Sequence, residues 1–420
     1  MSKPLFIISA PVDTYSGYGA RSRDIVKAII ATDRYDVKLL SQRWGNTRFG
    51  YLGDHKEDSL ITKIIPHVDQ HNPPDYWMQI TVPNEFTRVG KYNIGCTAGM
   101  ETTLVAPSWI DGVNRMDLIL TSSEHSKRVF LETAYDTENK QTKEKSLLKC
   151  IKPIEVVFEG VDVEKYFAKT SDLNLDKIKE SFCYLVVGHW MQGDFGHDRK
   201  NIGYTVKTFL ETFKNKKNPP ALILKTSVVN TSILDRDRIL SRIDSIKNTV
   251  KGKLPNVYLL HGELTDKNIN ELYNHSKVKV MLSHTKGEGF GRPLLEFTTT
   301  GKPIIASGWS GQVDFLDRDK SILIGGELEK VHASASVKDM ILTDASWFKP
   351  NDAEVARAFK ETFKTYKKYI RPAKQQRVRT LKEFKLSDMF SLVDKLLKDN
   401  LPEFPQQTKL NLPKLDLPKL

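Results

Sequence analysis

Two glutamates eight residues apart form the pattern in this chain best suited to chemistry. Glu288 and Glu296 stand in the stretch GEGFGRPLLEF, residues 287–297. The apolar stretch KVKVMLSH before it predicts a β-strand. Pro293 predicts a helix start, because the first helical position has no need of its N–H. We therefore expect Glu288 in the connecting loop and Glu296 in the first or second turn of the helix.

Glycines on either side of Glu288 would let the backbone approach a ligand closely. They are Gly287, Gly289 and Gly291. The N-terminus of the following helix favours an anion such as phosphate, and a carboxylate one turn deeper can accept hydrogen bonds from paired sugar hydroxyls. Taken alone, the stretch is also compatible with a glycine turn and two incidental acids.

A second pair of glycines, near the start of the chain, also precedes a predicted helix N-terminus that could bind phosphate. Gly17 and Gly19 in SGYGARSRD precede a predicted helix, so backbone N–H groups there can face a phosphate. Ser22 occupies the place of the third glycine in a dinucleotide-binding fingerprint. The chain also has no Gly-Lys-Ser/Thr, so neither that fingerprint nor a P-loop is complete. A plain tight turn is the alternative.

The elements that must position these residues alternate between strand and helix. LFIISA and FCYLVVG begin two separate series of apolar strands, each strand followed by a loop or a helical stretch. This alternation predicts an α/β protein with two parallel, doubly wound sheets. Two such domains facing each other place ligands in the cleft between them, at the carboxyl ends of the strands.

Length and composition agree with a two-domain globular protein. The chain has 420 residues, 39% of them hydrophobic and 28% charged, and one core rarely serves so long a chain. No run of about 18 apolar residues predicts a membrane span, and the apolar start indicates a strand rather than a signal peptide. Three scattered cysteines indicate a reducing compartment. We expect a cytoplasmic protein, in the host cytoplasm if it is viral.

The stretch GEGFGRPLLEFTTTGKPIIASGWSGQVDFL, residues 287–316, closely resembles the signature of family-four glycosyltransferases of the GT-B class. The resemblance extends over roughly residues 4–400 and implies two Rossmann-like domains facing a central cleft. Residues 1–168 would form the acceptor domain, completed by a C-terminal helix at about 378–400 that crosses back to it. Residues 169–377 would form the nucleotide-sugar domain. The repeated Leu-Pro-Lys-Leu unit in 401–420 predicts an extended tail.

The resemblance also implies a transfer that retains the anomeric configuration, from a nucleotide diphosphate sugar that we expect to be a UDP-sugar. The family's glutamate motif assigns Glu296 to the ribose and Glu288 to the donor sugar. Gly289, Phe290 and Gly291 would line the donor pocket, with their backbone near sugar hydroxyls.

A leaving diphosphate needs fixed cations, which GT-B enzymes generally supply from side chains rather than from a bound metal. Lys200 matches the family's diphosphate lysine. The family often has an arginine directly after the strand glycine, where this chain has His189, and Arg199 is the candidate for the missing charge. Lys225 is a third candidate cation. Solvated surface positions are the alternative for all three cations, and no cofactor is expected beyond the donor itself.

Glu101 completes the expected catalytic set with Glu288 and Lys200. Many relatives have a histidine at this point of the first domain, where this chain has Met100-Glu101. Glu101 is a candidate to contact the donor sugar or to take the acceptor proton, and a helix cap is the alternative. No metal site is expected, because the Asp-x-Asp spacing of DRDR, residues 235–238, lies in a helical, basic segment.

Charge in the C-terminal region suggests the acceptor. The net charge is +12, and residues 362–382 contain no acid, whereas residues 1–150 hold 19 basic against 18 acidic side chains. Cations three or four positions apart would share a helical face until Pro372 disturbs it. They are Lys364, Lys367, Lys368, Arg371 and Lys374, extended by Arg377 and Arg379. Such a stripe can follow a phosphate backbone, so the predicted acceptor is a hydroxymethylated base in duplex DNA, as in phage glucosyltransferases.

Other functions stay open on sequence grounds. Most relatives extend a cell-surface glycan or a lipid-linked sugar. A GT-B epimerase or a non-catalytic sugar-nucleotide binder would have the same fold, although the glutamate motif and Lys200 argue against a silent protein. The basic stripe could equally be a solvated face. A glycosidase is not favoured, because one carboxylate lies a helical turn down rather than across a scissile bond. The sequence indicates no oligomeric state.

Overall fold

The computed structural model describes residues 3–69, 71–138, 141–228 and 231–404. Its N-terminal part contains eight strands: β1 (Leu5–Ala10), β2 (Asp36–Ser41), β3 (Tyr76–Ile80), β4 (Tyr92–Cys96), β5 (Leu118–Thr121), β6 (Ala134–Glu138), β7 (Lys145–Lys149) and β8 (Ile154–Val156). Six of them form a parallel sheet in the order β2-β1-β3-β4-β5-β8. The first predicted strand, LFIISA, is β1.

The C-terminal part contains a second parallel sheet of six strands. Its strands and those of a small ribbon are β9 (Cys183–Val187), β10 (Ala221–Lys225), β11 (Val257–Leu260), β12 (Val278–Ser283), β13 (Ile304–Ser307), β14 (Ile322–Ile324), β15 (Gly326–Lys330) and β16 (Ser346–Pro350). The sheet order is β11-β10-β9-β12-β13-β14, and β15 pairs with β16 in antiparallel fashion. The two doubly wound sheets confirm the predicted α/β fold class.

Helices cover both faces of each sheet. They are α1 (Gly17–Ala31), α2 (Tyr51–Asp54), α3 (Asp58–Ile61), α4 (Pro107–Asn114), α5 (Glu124–Glu132), α6 (Ile202–Phe213), α7 (Ile233–Asn248), α8 (Asp266–Asn274), α9 (Arg292–Thr298), α10 (Asp352–Lys364), α11 (Tyr366–Glu383) and α12 (Leu386–Asn400). Strands covered on both faces are apolar along their whole length, and every residue of β5 and β13 is buried.

The last helix crosses back to the first domain, as expected for a GT-B fold. Met389, Val393 and Leu397 of α12 belong to the core of the first domain, and α12 packs against α1. The crossing helix is Leu386–Asn400, shorter than the anticipated 378–400, because α11 stays on the second domain. The backbone of Val161 pairs with Lys385, so the two connections between the domains run side by side.

Two local features qualify the sequence interpretation. Residues 137–149, a polar stretch for which the sequence predicts no strand, belong in part to the exposed antiparallel ribbon of β6 and β7. The ribbon is held to the domain where Tyr135 donates a hydrogen bond to the Val105 carbonyl over 2.6 Å. Residues 401–404 lie along the first domain, where Tyr76 donates to the Pro402 carbonyl over 2.8 Å. The rest of the predicted tail, 405–420, lies outside the described residues.

Candidate active site

The two domains touch through loops that follow central strands of the two sheets. The loop between β12 and α9 meets the loop after β4 at two points, and each point of contact requires a glycine. A Cβ atom on Gly287 would overlap the carbonyl oxygen of Glu101, and one on Gly289 would overlap that of Ala98. Ser122 Oγ donates to the Gly289 carbonyl over 2.9 Å. Because these glycines have no side chain, the backbone of the first domain can approach the loop at the positions where the sequence predicts close approach of a ligand.

Glu288 lies in this loop, as predicted, at the centre of a buried ion-pair cluster. Its Oε1 is 2.5 Å from Lys200 Nζ, and its Oε2 is 3.3 Å from the Arg199 guanidinium. The same guanidinium donates to the Gly287 carbonyl over 2.7 Å and lies 3.7 Å from Glu101 of the first domain. The fold thus brings four predicted site residues together, two cationic and two anionic.

The charges of this cluster stabilise one another. Burial raises the pKa of Glu288, but Lys200 and Arg199 outweigh it and hold that pKa below its ordinary value. Burial lowers the pKa of Lys200, and Glu288 offsets only part of that effect. An anion that enters the cleft would therefore compete with Glu288 for Lys200.

The backbone of Glu288 is fixed by the loop after β13. Its N–H donates to Ser310 Oγ over 2.9 Å, and its carbonyl accepts from the Gly311 N–H over 3.0 Å. Ser310 has φ +68° and ψ −159°, a conformation that residues other than glycine rarely adopt. Sequence reasoning missed Ser310, and its place between two glycines in SGWSG is the signal that was available.

Glu296 lies in the second turn of α9, in the position predicted for it. Its Oε1 is 3.2 Å from Arg292 Nε, and its Oε2 accepts a hydrogen bond from Tyr273 over 3.3 Å. Burial raises the pKa of Glu296 to about 7 despite the neighbouring arginine, and Asp266 adds to the rise. Arg292 NH1 also lies 2.6 Å from Asp24 on α1 of the first domain. Neither Arg292 nor Asp24 was predicted, because their spacing along the chain carries no signal.

A cavity of about 840 Å³ lies between the domains, beside the ion-pair cluster of Glu288 and Lys200. The predicted residues Gly17, His189 and Lys225 line it. His189 Nδ1 is 2.9 Å from Ser227 Oγ, and burial, followed by Lys200 and Lys225, lowers the pKa of His189. A neutral His189 offers a hydrogen bond rather than the charge of an arginine.

The first glycine loop leads directly into α1. Ser16 caps this helix by accepting a hydrogen bond from the Gly19 N–H over 2.9 Å. A Cβ on Gly19 would overlap the Thr14 carbonyl, whereas Gly17 has open space around it. Gly19 is therefore needed for the tight turn, the alternative noted from the sequence, and Gly17 leaves the N-terminus of α1 open to the cavity.

Two other predicted donor residues serve the local structure. Phe290 is buried in the core of the second domain, with its ring centroid 5.0 Å from that of Phe315. Its side chain therefore cannot line a donor pocket, and only its backbone is in a position to do so. Gly291 caps α9 with φ +105°, a conformation that favours glycine.

The ribbon of β15 and β16 reaches across the domain boundary. The Thr103 N–H donates to the Ser346 carbonyl, and the Ser346 N–H donates to Thr103 Oγ1, each over 2.9 Å. The Phe348 N–H donates to the Lys286 carbonyl over 2.8 Å, and Lys286 pairs with Glu329 of β15. The ribbon thus links the loop beside Glu101 to the loop that carries Glu288.

The predicted basic stripe is only partly formed. Pro372 lies inside α11, whereas Lys364 is the last residue of α10. The prediction of one helical face that includes Lys364 is therefore wrong. Since successive residues of an α-helix turn by about 100°, Lys367, Arg371 and Lys374 share one side of α11, and all three are exposed.

Of the two arginines predicted to extend the stripe, Arg379 is engaged elsewhere. The Arg379 guanidinium donates to the carbonyls of Asp314 and Phe315, each over 3.1 Å, and lies 3.0 Å from Glu383. It anchors α11 to the second domain. Arg377, three residues after Lys374, is half-buried on the side of the helix next to that lysine.

The remaining basic face lies away from the cleft. Lys368 lines a pocket together with Ile304 and Ile322, the first residues of β13 and β14. Glu288 follows the last residues of β12, which runs parallel to β13. The basic face therefore lies at the N-terminal ends of the strands of the second sheet, and Glu288 lies at their C-terminal ends.

Within the described ranges, no cluster of three or more His, Cys, Asp or Glu side chains is arranged to hold a metal ion. In the same part of the chain, no helix combines the length and the apolar character that crossing a bilayer requires. DRDR lies in α7, as the sequence predicts.

Residues 246–343, which include the glutamate motif, match the family described as glycosyl transferases group 1. The expectation of a glycosyltransferase enzyme is confirmed at the level of this domain. No curated protein matched the chain.

Several solved structures have a similar fold. A glycosyltransferase from Rickettsia africae ESF-5 superposes with a TM-score of 0.62 at 14% identity, covering 96% of this chain and 99% of its own. Sucrose-phosphate synthase from Thermosynechococcus elongatus gives 0.61 at 12% identity, with coverage of 94% and 98%. Anabaena Alr3699/HepE in complex with UDP-glucose gives 0.59 at 13%, with 94% and 100%. These likenesses establish the GT-B fold.

Proposed function

We propose that the protein is a retaining glycosyltransferase that takes its sugar from a nucleotide diphosphate sugar, most simply a UDP-sugar. One observation carries the proposal. Glu288 lies inside the region that matches glycosyl transferases group 1, and it is held by Lys200 and Arg199 where the first domain meets it. Solved structures of the same fold contain UDP or UDP-glucose, which agrees with this donor.

In the proposed donor complex, the diphosphate lies between the N-terminus of α1 and Lys200. Backbone N–H groups at Gly17 carry the positive end of the helix dipole, which favours phosphate oxygens. Lys200 gives up its contact with Glu288 and binds the leaving oxygen instead. The negative charge of that oxygen grows as the glycosidic bond breaks. His189 and Lys225 line the cavity that would hold the rest of the nucleotide.

The carboxylates have separate roles in this proposal. Glu296 accepts hydrogen bonds from the ribose hydroxyls, and Glu288, released by Lys200, accepts them from the donor sugar. Glu101 lies on the acceptor side, in range of Arg199. The bond between the anomeric carbon and the phosphate oxygen breaks while the acceptor oxygen bonds to that carbon on the same face, and the acceptor proton passes to the leaving phosphate oxygen. The anomeric configuration is thereby retained without a protein nucleophile.

For the acceptor, we propose a hydroxymethylated base in duplex DNA. The exposed side of α11, with Lys367, Arg371 and Lys374, supplies cations for phosphates. A base would have to leave the stack to reach the cleft, at a cost of a few kcal/mol. A glycan or lipid-linked sugar is the second candidate, favoured by the distance along the sheet between that basic face and Glu288.

The experiment offers radiolabelled UDP-glucose to the protein with duplex DNA that contains or lacks 5-hydroxymethylcytosine. We expect label in the modified duplex alone. Label in an added oligosaccharide or lipid acceptor, and in neither duplex, would refute the DNA acceptor and favour the second candidate. Exchange of donor sugar configuration without transfer would refute transferase activity and indicate an epimerase.

A further inference from the structure

A three-residue ion-pair junction connects the proposed donor site to the first domain. Arg292 begins α9, one turn before Glu296, and its Nε lies 3.2 Å from Glu296 Oε1. Its NH1 lies 2.6 Å from Asp24 Oδ2 on α1 of the first domain. A single guanidinium thus contacts a carboxylate on each side of the cleft.

Burial distinguishes this junction from the exposed ion pair of Arg48 and Glu263, which also joins the domains. The side chains of Arg292, Asp24 and Glu296 are 23%, 14% and 10% exposed. Arg48 and Glu263, which also pair across the cleft, are 52% and 40% exposed. Exposed pairs contribute little, whereas a buried charge that loses its partner is strongly destabilised. The Asp24–Arg292 contact therefore discriminates between open and closed arrangements.

Arginine is suited to this place because its donors point in several fixed directions. One N–H group can hold Asp24 while another holds Glu296. If the domains separate, Asp24 moves away and the whole guanidinium is free to pair with Glu296. Arg292 would then occupy carboxylate lone pairs that a ribose hydroxyl needs.

We propose that Arg292 is a positioning residue that couples donor binding to domain closure, by being shared between Glu296 and Asp24. Ribose hydroxyls on Glu296 release part of the guanidinium to Asp24 and favour closure. Closure in turn draws Arg292 toward Asp24 and frees Glu296 for the ribose. The coupling is reciprocal, as linkage requires, and it rests on the proposed ribose role of Glu296.

Charged and polar groups from other elements set the environment of this junction. Asp266 and Tyr273 of α8 face Glu296, and Asp266 opposes its ionisation. Glu159 in the connection between the domains lies close enough to act on Arg292. Although burial lowers it, Asp24 and Glu296 hold the pKa of Arg292 well above its ordinary value. The shared cation is therefore permanently charged.

The test measures UDP affinity by calorimetry and the radius of gyration by small-angle scattering, with and without UDP. In Asp24→Asn we expect UDP to bind about tenfold more weakly and to produce no compaction, whereas the wild type becomes more compact. Asp394→Asn is the matched control, since it removes an aspartate that pairs with Arg34 at 2.7 Å within the first domain. It should behave as the wild type.

A second variant guards against misfolding. Arg292→Lys keeps the charge but lacks the planar guanidinium, whose N–H groups point in fixed directions. We expect this variant to bind UDP more weakly and to show no compaction with UDP, as Asp24→Asn does. If either variant binds UDP as tightly as the wild type, the coupling is refuted, whether or not the domains close. If the wild-type protein itself does not bind UDP, the donor assignment fails, and the coupling fails with it.

Discussion

Replacing Lys200 by methionine should separate its structural role from its catalytic one. Glu288 is buried and has two cationic partners, Lys200 at 2.5 Å and Arg199 at 3.3 Å. Removing one partner of a buried pair costs about 3–5 kcal/mol, and the remaining arginine favours the lower end of that range. At about 2–4 °C per kcal/mol for a domain of this size, a loss of about 3 kcal/mol lowers the Tm by about 6–12 °C.

The double variant Glu288→Gln/Lys200→Met should regain most of that Tm, because no buried charge is left unpaired. Its turnover should stay at least about 100-fold below that of the wild type, because the cation that stabilises the leaving group is lost together with the Glu288 carboxylate. Lys214→Met is the matched control, since Lys214 also lies 2.5 Å from a glutamate but on the surface. It should change stability by less than about 1 kcal/mol. A Lys200→Met protein as stable as the Lys214→Met control would refute the buried pair.

Further predictions concern donor, pH, metal, DNA and closure. Glu296→Ala should weaken UDP binding by about 1–3 kcal/mol in calorimetry, and unchanged affinity would end the ribose assignment. The pKa of Glu296 is raised by burial from 4.5 to about 7, so the folded state binds its proton more tightly than the unfolded state does. The resulting stability is present below pH 4.5 and is lost as the pH rises to about 7; Glu296→Gln should flatten the Tm over that window. Transfer should survive EDTA, and loss of activity restored by manganese would contradict a side-chain mechanism. Replacing Lys367, Lys368 and Arg371 by glutamine should reduce the salt slope of duplex binding by about three while UDP binding is unchanged; a wild-type slope would leave α11 a solvated face. Gly289→Ala should hinder closure, seen as a larger radius of gyration with UDP, and normal compaction would contradict the contact.

Local pattern was sufficient to predict much of the architecture. Alternating apolar strands and helical stretches repeat twice along the chain, and each series forms one parallel sheet. Glu288 and Glu296 fall in the loop and the helix expected for them, because Pro293 and the preceding strand limit where α9 can begin. The ends of elements were less predictable, since only packing decides that α11 stays on the second domain and α12 leaves it.

Contacts between distant parts of the chain could not be predicted from spacing. Gly287 and Gly289 were interpreted as ligand contacts, but their lack of a side chain admits the backbone of the first domain. Asp24 and Arg292 are paired only because the two domains close on each other. The basic stripe was predicted wrongly for a related reason. Helical periodicity predicts on which side of α11 Arg379 lies, but it does not predict that the guanidinium of Arg379 anchors α11 to the Phe315 carbonyl.

The crossing of α12 has a consequence for synthesis of the protein on the ribosome. Chains emerge from the N-terminus and domains generally fold as units, yet the first domain needs Met389, Val393 and Leu397 from near the C-terminus to fill its core. The second sheet, complete by Ile324, can therefore assemble while the earlier domain still exposes the apolar side of α1. The nascent first domain must wait until α12 has been synthesised, and until then its incomplete core is exposed to chaperones and to aggregation.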